Sequence, residues 1–271
     1  MNIGVLDSGV GGFSILATLE KQFPEHTFVY LSDHKNFPYS EKSISQLQTI
    51  GAENAEILSA QGCNPIVLAC NTLTVTALAH LRVTFPSTSF IGTVPAVKPA
   101  AETLTPGSHI VVLATKNTAE SEYLQALIEA WKSTHNWTLV GTTKLVEAIE
   151  NWNEQAIIAE LTEILLPIHR QHPIDGIVLG CTHFPFVEKY ILQVLQTDET
   201  EAKDIRFFEP SIGIAKQLAR AVEAIDSSIV QTTSRTTTSH LNFISSADPA
   251  HLNNTALAHQ FEQLKQFLPK L

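Results

Sequence analysis

The feature that most constrains this chain is an alternation of short apolar runs with helix-periodic segments, which occurs in two successive rounds. Parallel sheets read as continuous Ile, Val and Leu runs because helices cover both of their faces. The two rounds end in nearly the same sequence, IVLACNT at residues 66–72 and IVLGCTH at residues 177–183. The matching cysteines favour an internal duplication over two unrelated buried strands. We therefore predict two similar α/β units with mainly parallel sheets.

Two proline-containing segments mark the predicted crossings between these units, at residues 92–100 and 207–211. At 271 residues the chain is long enough for two domains of ordinary size. A Ser/Thr-rich stretch at residues 227–239 is expected to be an exposed loop, and a last strand and helix follow it. The predicted domains are 1–93 with 209–271, and 94–208.

Composition and charge exclude several classes of protein. The formal charge is 17 − 27 = −10, and no Lys/Arg run is present, so no nucleic-acid surface is expected. No apolar stretch approaches ~20 residues, so no membrane span is expected. The N-terminal MNIGVLDSGVGG lacks the charged and apolar regions of a signal peptide, and the three cysteines include no CxxC pair. These features predict a cytoplasmic protein with reduced thiols.

Two cysteines, Cys70 and Cys181, each stand where a buried strand ends and a helix begins. In open α/β sheets ligands bind at that edge, and the free N–H groups of a helix N-terminus favour a thiolate there. Polar residues follow both cysteines, Asn71-Thr72 in one case and Thr182-His183 in the other, which argues for chemistry over plain packing. An inert buried cysteine is the alternative, and we expect that role for Cys63.

The first strand is followed by the glycine-rich turn DSGVGG at residues 7–12. It lacks the third glycine of the dinucleotide pattern GxGxxG, and no Walker lysine follows. Backbone N–H groups and the Ser8 hydroxyl could still surround a small anion such as a carboxylate. Asp7 stands at the strand tip, and Gly9 to Gly12 separate it from the helix, so chemistry is favoured for it, with capping or solvation as the alternative.

The sequence supports metal binding, cysteine hydrolase chemistry and pyridoxal phosphate chemistry less well. Cys181 and His183 are two potential metal ligands, but no second pair has zinc-finger spacing, so no metal is predicted. A hydrolase with Cys181 as nucleophile and a histidine base stays open as a minor alternative. Nothing marks a lysine for a Schiff base with pyridoxal phosphate, and the candidates are Lys98, Lys116 and Lys144.

Four motifs together, in this order, resemble the glutamate racemase family. They are LDSGVGG at 6–12, FPYSEKS at 37–43, ACNT at 69–72 and GCTHFP at 180–185. The segments VPAVKPAA and LATKNT are also similar, and the resemblance covers roughly residues 2 to 223. It implies a cofactor-independent enzyme whose two domains are related by a pseudo-twofold axis, with the active site in the cleft between them. One thiol would serve each face of the α-carbon of glutamate.

The resemblance also implies residue roles. Cys70 resembles the base that acts on D-glutamate, and Cys181 the base that acts on L-glutamate. Asp7 is expected to partner Cys70 and His183 to partner Cys181. Glu147 matches the glutamate that supports this histidine, with Glu150 as the second choice. Hydroxyl and amide groups suit the substrate carboxylates. The expected substrate contacts are Ser8, Tyr39, Ser40, Asn71, Thr72, Thr118 and Thr182.

The chain departs from the family pattern at several positions. Ser40 replaces a glycine, Leu73-Thr74 replaces a small pair, Glu209-Pro210-Ser211 stands where DSG is common, and Thr142-Thr143 replaces a Cys-Pro pair. No catalytic group is lost. The departures leave open a racemase for aspartate or another acidic amino acid, and a catalytically silent regulatory binding protein.

The expected partners follow from the resemblance as well. They are L- and D-glutamate, together with an activating peptidoglycan precursor, UDP-N-acetylmuramoyl-L-alanine, which some relatives bind. D-glutamate would supply peptidoglycan synthesis. A homodimer is compatible with this interpretation.

Overall fold

A computed structural model of the chain describes residues 1–196, 204–228, 240–247 and 254–269. The chain divides into two compact units. Unit 1 is Met1–Thr93 with Ser211–Leu271, and unit 2 is Val94–Pro210. Both boundaries lie within the proline-containing segments, and the second comes two residues after the predicted one.

Within its described residues, unit 1 holds a five-stranded parallel sheet in the order β4-β3-β1-β2-β9. The strands are β1 Asn2–Asp7, β2 Thr27–Ser32, β3 Cys63–Leu68, β4 Phe90–Gly92 and β9 His240–Ser245. The central strands are almost wholly buried, as expected for a sheet with helices on both faces.

Three helices of unit 1 return the chain from one strand to the next, and of the two others among the described residues one precedes β9 and one follows it. The helices are α1 Phe13–Gln22, α2 Ile44–Ala60, α3 Asn71–Thr84, α10 Ser211–Ser228 and α11 Thr255–Lys265, and short 3₁₀ turns span His34–Asn36 and Tyr39–Glu41. Helix α2 begins with a capping box between Ser43 and Gln46, and Gly62 (φ +70°) follows its end. Glycine adopts this left-handed conformation without a Cβ clash, so the chain turns sharply into β3.

Unit 2 has a four-stranded parallel sheet among its described residues, in the order β6-β5-β7-β8. The strands are β5 His109–Ala114, β6 Asn136–Gly141, β7 Gly176–Gly180 and β8 Arg206–Phe208. The helices are α4 Val97–Thr103, α5 Lys116–Ala119, α6 Glu122–Glu129, α7 Lys144–Glu150, α8 Glu154–Gln171 and α9 Glu188–Leu195, and a 3₁₀ turn spans Phe184–Val187.

The two sheets share one topology. In unit 1 the first strand, β1, lies between β3 and β2, and β4 flanks β3; in unit 2, β5 lies between β7 and β6, and β8 flanks β7. Strand β9 is an addition to unit 1. The matching orders confirm the predicted pair of parallel α/β units and agree with a duplication.

Two short helices of unit 2, α5 and α6, are separated at Ser121. This residue leaves the helical conformation, and its side chain accepts a hydrogen bond from the Leu124 N–H at 3.2 Å. Such a side-chain bond starts a new helix and ends the old one. After β7 the chain forms the 3₁₀ turn Phe184–Val187, which contains Pro185, before α9 begins at Glu188.

Two further predictions concern other parts of the chain. Residues 227 and 228 end α10, and the remainder of the predicted Ser/Thr-rich loop, residues 229–239, lies outside the described residues. No helix in the described part of the chain combines the length and the apolar character needed to cross a membrane.

Candidate active site

Cys70 lies at the carboxyl edge of the unit 1 sheet, between the end of β3 and the start of α3. It is the N-cap residue of α3, and its thiol is buried. The N–H of Ala69 donates to the carbonyl of Leu6 at 2.9 Å, so the chain still follows β1 one residue before the cysteine. The end of β1 and Cys70 therefore share one edge of the sheet.

Asp7 is the last residue of β1 and is fully buried. Its Oδ1 accepts a hydrogen bond from the N–H of Gly9 at 3.0 Å, and the carbonyl of Gly9 accepts one from the Tyr30 hydroxyl at 2.7 Å. A Cβ on Gly12 would lie 2.7 Å from both Asp7 Cβ and Tyr30 Oη. The glycine-rich turn thus fits tightly around Asp7, and α1 starts beyond it without a side-chain cap.

Polar side chains predicted to contact a substrate directly follow these two residues in the chain. Ser8, Asn71 and Thr72 are all buried, and Asn71 is 2% exposed. Among the described residues, neither Nδ2 nor Oδ1 of Asn71 has a hydrogen-bond partner. A buried amide without partners costs roughly 1–3 kcal/mol, so a ligand that satisfies it would be bound favourably.

Tyr39 and Ser40 are also buried, in the 3₁₀ turn that follows β2. Tyr39 belongs to the same cluster of buried side chains as Cys70. Its hydroxyl donates to Asp33 Oδ2 at 2.6 Å, and Asn54 of α2 donates to the same oxygen at 2.9 Å. Burial, followed by the negative charge of Asp33, holds the pKa of Tyr39 well above its usual range, so the phenol stays neutral.

The predictions did not include Asp33 or Asn54, although the sequence carries a signal for each. Asp33 directly follows β2 and so stands at the same edge as Asp7. Asn54 lies on the buried face of α2, in helical register with Leu47, Gly51 and Leu58. A polar residue on an apolar stripe must find a hydrogen-bond partner inside the unit.

In unit 2, Cys181 directly follows β7 and is buried beside His183. Its Sγ lies 3.7 Å from His183 Nδ1, and His183 Nε2 lies 2.6 Å from Glu150 Oε2. Burial alone lowers the pKa of His183, but its hydrogen bonds to Cys181 and Glu150 outweigh burial and hold that pKa well above the usual range. The three side chains form a continuous relay in which the imidazole is readily protonated.

The carboxylate that contacts His183 differs from our prediction. We expected Glu147, but Glu150 is the residue whose side chain lies against His183 Nε2. Helix α7 buries Leu145, Val146 and Ile149. At about 100° per residue, Glu147 projects from the opposite side of the helix and is exposed, whereas Glu150 projects close to Val146 at the border of the buried face. Only Glu150 can therefore reach inward.

Thr118 and Thr182, the remaining predicted substrate contacts, are buried in unit 2. Thr115, which follows β5, donates from its hydroxyl to Thr118 Oγ1 at 2.9 Å and caps α5. Thr182 lies between Cys181 and His183 in the sequence. Thr118 in α5 and Thr182 thus lie just beyond the ends of β5 and β7, two adjacent strands of one sheet.

Cys63 lies at the start of β3, at the opposite end of the strand from Cys70. Burial raises the pKa of its thiol to about 12, so it is neutral and packs as a small apolar side chain. Within the described residues, no group of three or more His, Cys, Asp and Glu side chains is placed to hold a metal ion.

Comparisons with known proteins show the family of this chain. Residues 13–203 match the model of the Asp/Glu/hydantoin racemases. The chain is 35% identical to a glutamate racemase of Pseudomonas entomophila strain L48 over 220 residues, which are 80% of each chain. It is 34% identical to one of Clostridium acetobutylicum over 225 residues, covering 83% of this chain and 85% of the relative.

Solved structures agree. The chain is similar to Escherichia coli glutamate racemase in complex with L-glutamate and the activator UDP-MurNAc-Ala, with 28% identity, a TM-score of 0.79, and coverage of 98% of this chain and 94% of that one. It is also similar to glutamate racemase isoform RacE1 of Bacillus anthracis, with 25% identity, a TM-score of 0.77, and coverage of 97% and 93%. The chain therefore belongs to the Asp/Glu/hydantoin racemase family, as one of its glutamate racemases.

Proposed function

We propose that the protein interconverts L- and D-glutamate by proton transfer at the α-carbon, with Cys70 and Cys181 as the two bases. The main support is that the two thiols occupy equivalent positions in the duplicated topology. Each follows the strand beside the first strand of its sheet, β3 next to β1 and β7 next to β5. A single catalytic thiol would not require this pairing.

The chemistry needs one base and one acid at a time. A thiolate of Cys181 removes the α-proton of L-glutamate, and the electron pair delocalises into the adjacent carboxylate. The neutral thiol of Cys70 then delivers its proton to the opposite face, which gives D-glutamate. Cys181 ends as the thiol and Cys70 as the thiolate, so the same residues run the reverse reaction with exchanged roles. This requires that the two thiols approach opposite faces of the substrate.

On the unit 2 side, His183 is the proton partner of Cys181. Its Nδ1 is 3.7 Å from the sulfur, and the raised pKa of the imidazole lets it hold a proton while Cys181 is a thiolate. Glu150 stabilises the imidazolium through the 2.6 Å contact with Nε2. On the unit 1 side, Asp7 is the proposed partner of Cys70, since Asp7 ends β1 and Cys70 follows the adjacent strand β3 at the same edge of the sheet.

The substrate carboxylates and ammonium group need polar partners. Asn71 is the best-supported contact, because its buried amide has no hydrogen-bond partner among the described residues. We propose that buried polar residues beside the cysteines complete the site. They are Ser8, Tyr39, Ser40, Thr72, Thr118 and Thr182.

Isotope incorporation tests the two-base assignment. When L-glutamate reacts in heavy water, the proton removed by Cys181 stays on that residue, and the solvent-exchanged thiol of Cys70 supplies deuterium. Product D-glutamate should therefore carry deuterium from its first appearance, while remaining L-glutamate stays protonated early in the reaction. Early product that mostly retains the original hydrogen would point to a single base.

Single replacements test the same assignment. Cys70→Ala and Cys181→Ala should each abolish racemisation in both directions, followed by circular dichroism, because each residue acts as acid one way and base the other. The matched control is Cys63→Ala, which removes the remaining thiol at the far end of β3 and should keep activity. Substantial racemisation by either of the first two variants would rule out the assignment.

Assays with different substrates distinguish a glutamate racemase from the two alternatives, an aspartate racemase and a regulatory binding protein. Parallel assays with L-glutamate and L-aspartate should give activity on glutamate. Activity on aspartate alone would indicate an aspartate racemase, and no racemisation of any acidic amino acid under reducing conditions would indicate a regulatory binding protein.

We further propose a role in the cytoplasm, where D-glutamate is supplied for peptidoglycan, and activation by UDP-N-acetylmuramoyl-L-alanine. The support for activation is the similarity to the Escherichia coli enzyme, whose complex contains such an activator. Addition of this nucleotide should raise the racemisation rate. A rate that stays constant over a broad range of nucleotide concentration would exclude this regulation. A homodimer remains compatible with the function and is tested by light scattering.

A further inference from the structure

A buried carboxylate in unit 1, Asp33, is not explained by proton transfer or by packing. It is fully buried where β2 ends, and its N–H donates to the carbonyl of Asp7 at 2.9 Å. None of the salt bridges found among the described residues involves Asp33. Burial of an uncompensated carboxylate is costly, so its hydrogen-bond donors must hold it in place.

Three side chains converge on Asp33, and two of them are buried. Oδ2 accepts from the hydroxyl of Tyr39 at 2.6 Å, from Asn54 Nδ2 at 2.9 Å and from Asn36 Nδ2 at 3.0 Å. Asn54 Nδ2 also lies 3.3 Å from the Tyr39 hydroxyl. The carboxylate therefore joins β2, the segment 37–43 and helix α2 at one point.

The segment 37–43, which Asp33 holds in this way, lies close to Cys70 and Asp7. Tyr39 packs in the same buried cluster as Cys70, and the charges of Cys70 and Asp7 both act on its phenol. Because its hydroxyl is committed to Asp33 and stays neutral, Tyr39 is unsuited to move protons. Its ring and the following Ser40 can instead form part of the wall beside Cys70.

We propose that Asp33 is a positioning residue, which fixes Tyr39 and Ser40 beside Cys70 through its hydrogen bonds to Tyr39 and Asn54. This inference rests on the proposed function, since it assigns Asp33 a role in glutamate racemisation. Asp33 acts through the loop and does not touch the reacting atoms.

Replacement of Asp33 by alanine and by asparagine gives different expectations. In Asp33, Oδ2 accepts from three donors, whereas Oδ1 accepts only from Asn36. An asparagine can place its carbonyl oxygen at the Oδ2 position and its NH₂ group at the Oδ1 position, so most of these hydrogen bonds can be kept. Asp33→Asn should therefore retain much of the activity that Asp33→Ala loses. For Asp33→Ala we expect kcat/KM to fall on the order of 10–100-fold, the effect of a displacement of about 1 Å in a substrate-positioning group.

A double replacement separates positioning from general destabilisation. If Asp33 acts through Tyr39, the losses in Asp33→Ala and Tyr39→Phe are not additive, and the double variant is little worse than Asp33→Ala alone. The matched control is Asp175→Asn, which removes a half-buried carboxylate that accepts from the His109 N–H at 2.8 Å just before β7. It lies at the other end of β7 from Cys181, so kcat/KM should hardly change.

Hydrogen exchange supplies a readout that does not need activity. Amides of residues 37–43 should exchange faster in Asp33→Ala and in Tyr39→Phe, and not in Asp175→Asn. Unchanged exchange in this segment, or additive kinetic losses, would overturn the positioning role. If the parent protein fails to racemise glutamate, the proposed function falls and the exchange result alone decides whether Asp33 positions the segment. If Asp33→Ala does not fold, Tyr39→Phe, which removes a donor to Asp33 Oδ2, carries the exchange comparison against Asp175→Asn.

Discussion

Replacement of Glu150 by glutamine should weaken the catalytic relay while it preserves the shape of the side chain. The contact between His183 Nε2 and Glu150 Oε2 is 2.6 Å, and the side chains are only 1% and 9% exposed, so solvent screens it little. A hydrogen bond to a charged group contributes roughly 1.5–3 kcal/mol. If this energy stabilises the imidazolium that accompanies the Cys181 thiolate, kcat/KM should fall roughly 10- to 150-fold.

The loss must be the same in both directions. L- and D-glutamate have equal free energies in water, so kcat/KM for the two directions stays equal in every variant. A difference between the directions can appear only in kcat and KM taken separately. Glu150→Gln should therefore be assayed by circular dichroism from each enantiomer, and matching kcat/KM values serve as an internal check on the measurement.

Glu147→Gln is the matched control, because the same change is made on the exposed side of the same helix. It should leave kcat/KM close to that of the parent protein. If Glu147→Gln were strongly impaired while Glu150→Gln kept activity within about twofold, the observed hydrogen bond would not be the one that supports catalysis.

The contact between His183 and Glu150 should also make the free energy of unfolding depend on pH. The pKa of His183 is higher in the folded chain than its unfolded value near 6.5, so protonation favours the folded state. This contribution is fully present below about pH 6.5 and is lost as pH rises through the folded-state pKa. Urea titrations should show a lower free energy of unfolding for Glu150→Gln, with a larger deficit near about pH 6 than near about pH 9. A deficit that grows with pH would contradict this assignment.

Three further predictions use other residues. Gly12→Ala forces a Cβ to within 2.7 Å of Asp7 and Tyr30, so urea titration should show a loss of about 1–3 kcal/mol; unchanged stability would mean that the turn is not tightly packed. Asn71→Ala should raise KM for glutamate about tenfold or more and leave the free energy of unfolding unchanged or slightly higher, because the amide has no partner among the described residues. Cys63→Ala should keep kcat within about twofold, and a large loss would show that this neutral thiol is not merely packed.

The repeated pattern in the sequence determined the fold class and the placement of the cysteines. Short apolar runs such as IGVL and IVLG, alternating with helix-periodic segments, are typical of parallel strands covered by helices, so the alternation predicts both units without tertiary information. The residue that follows such a run stands at the carboxyl edge. Asp7, Cys70 and Cys181 could therefore be singled out from the sequence, because strand ends depend on local patterns.

Tertiary packing decided which polar side chains meet. Glu147 and Glu150 differ by three positions on α7, so both fit the sequence pattern, and only the contact of the helix with its unit sets which one points inward. Similarly, Asp33 and Tyr39 are six residues apart, but Asn54 reaches them from α2 across 21 residues of sequence. Hydrogen bonds of this kind depend on angles between packed elements, which no local periodicity specifies. The chain's own sequence thus determined where chemistry can occur, and the packing of α2 and α7 decided which carboxylates support it.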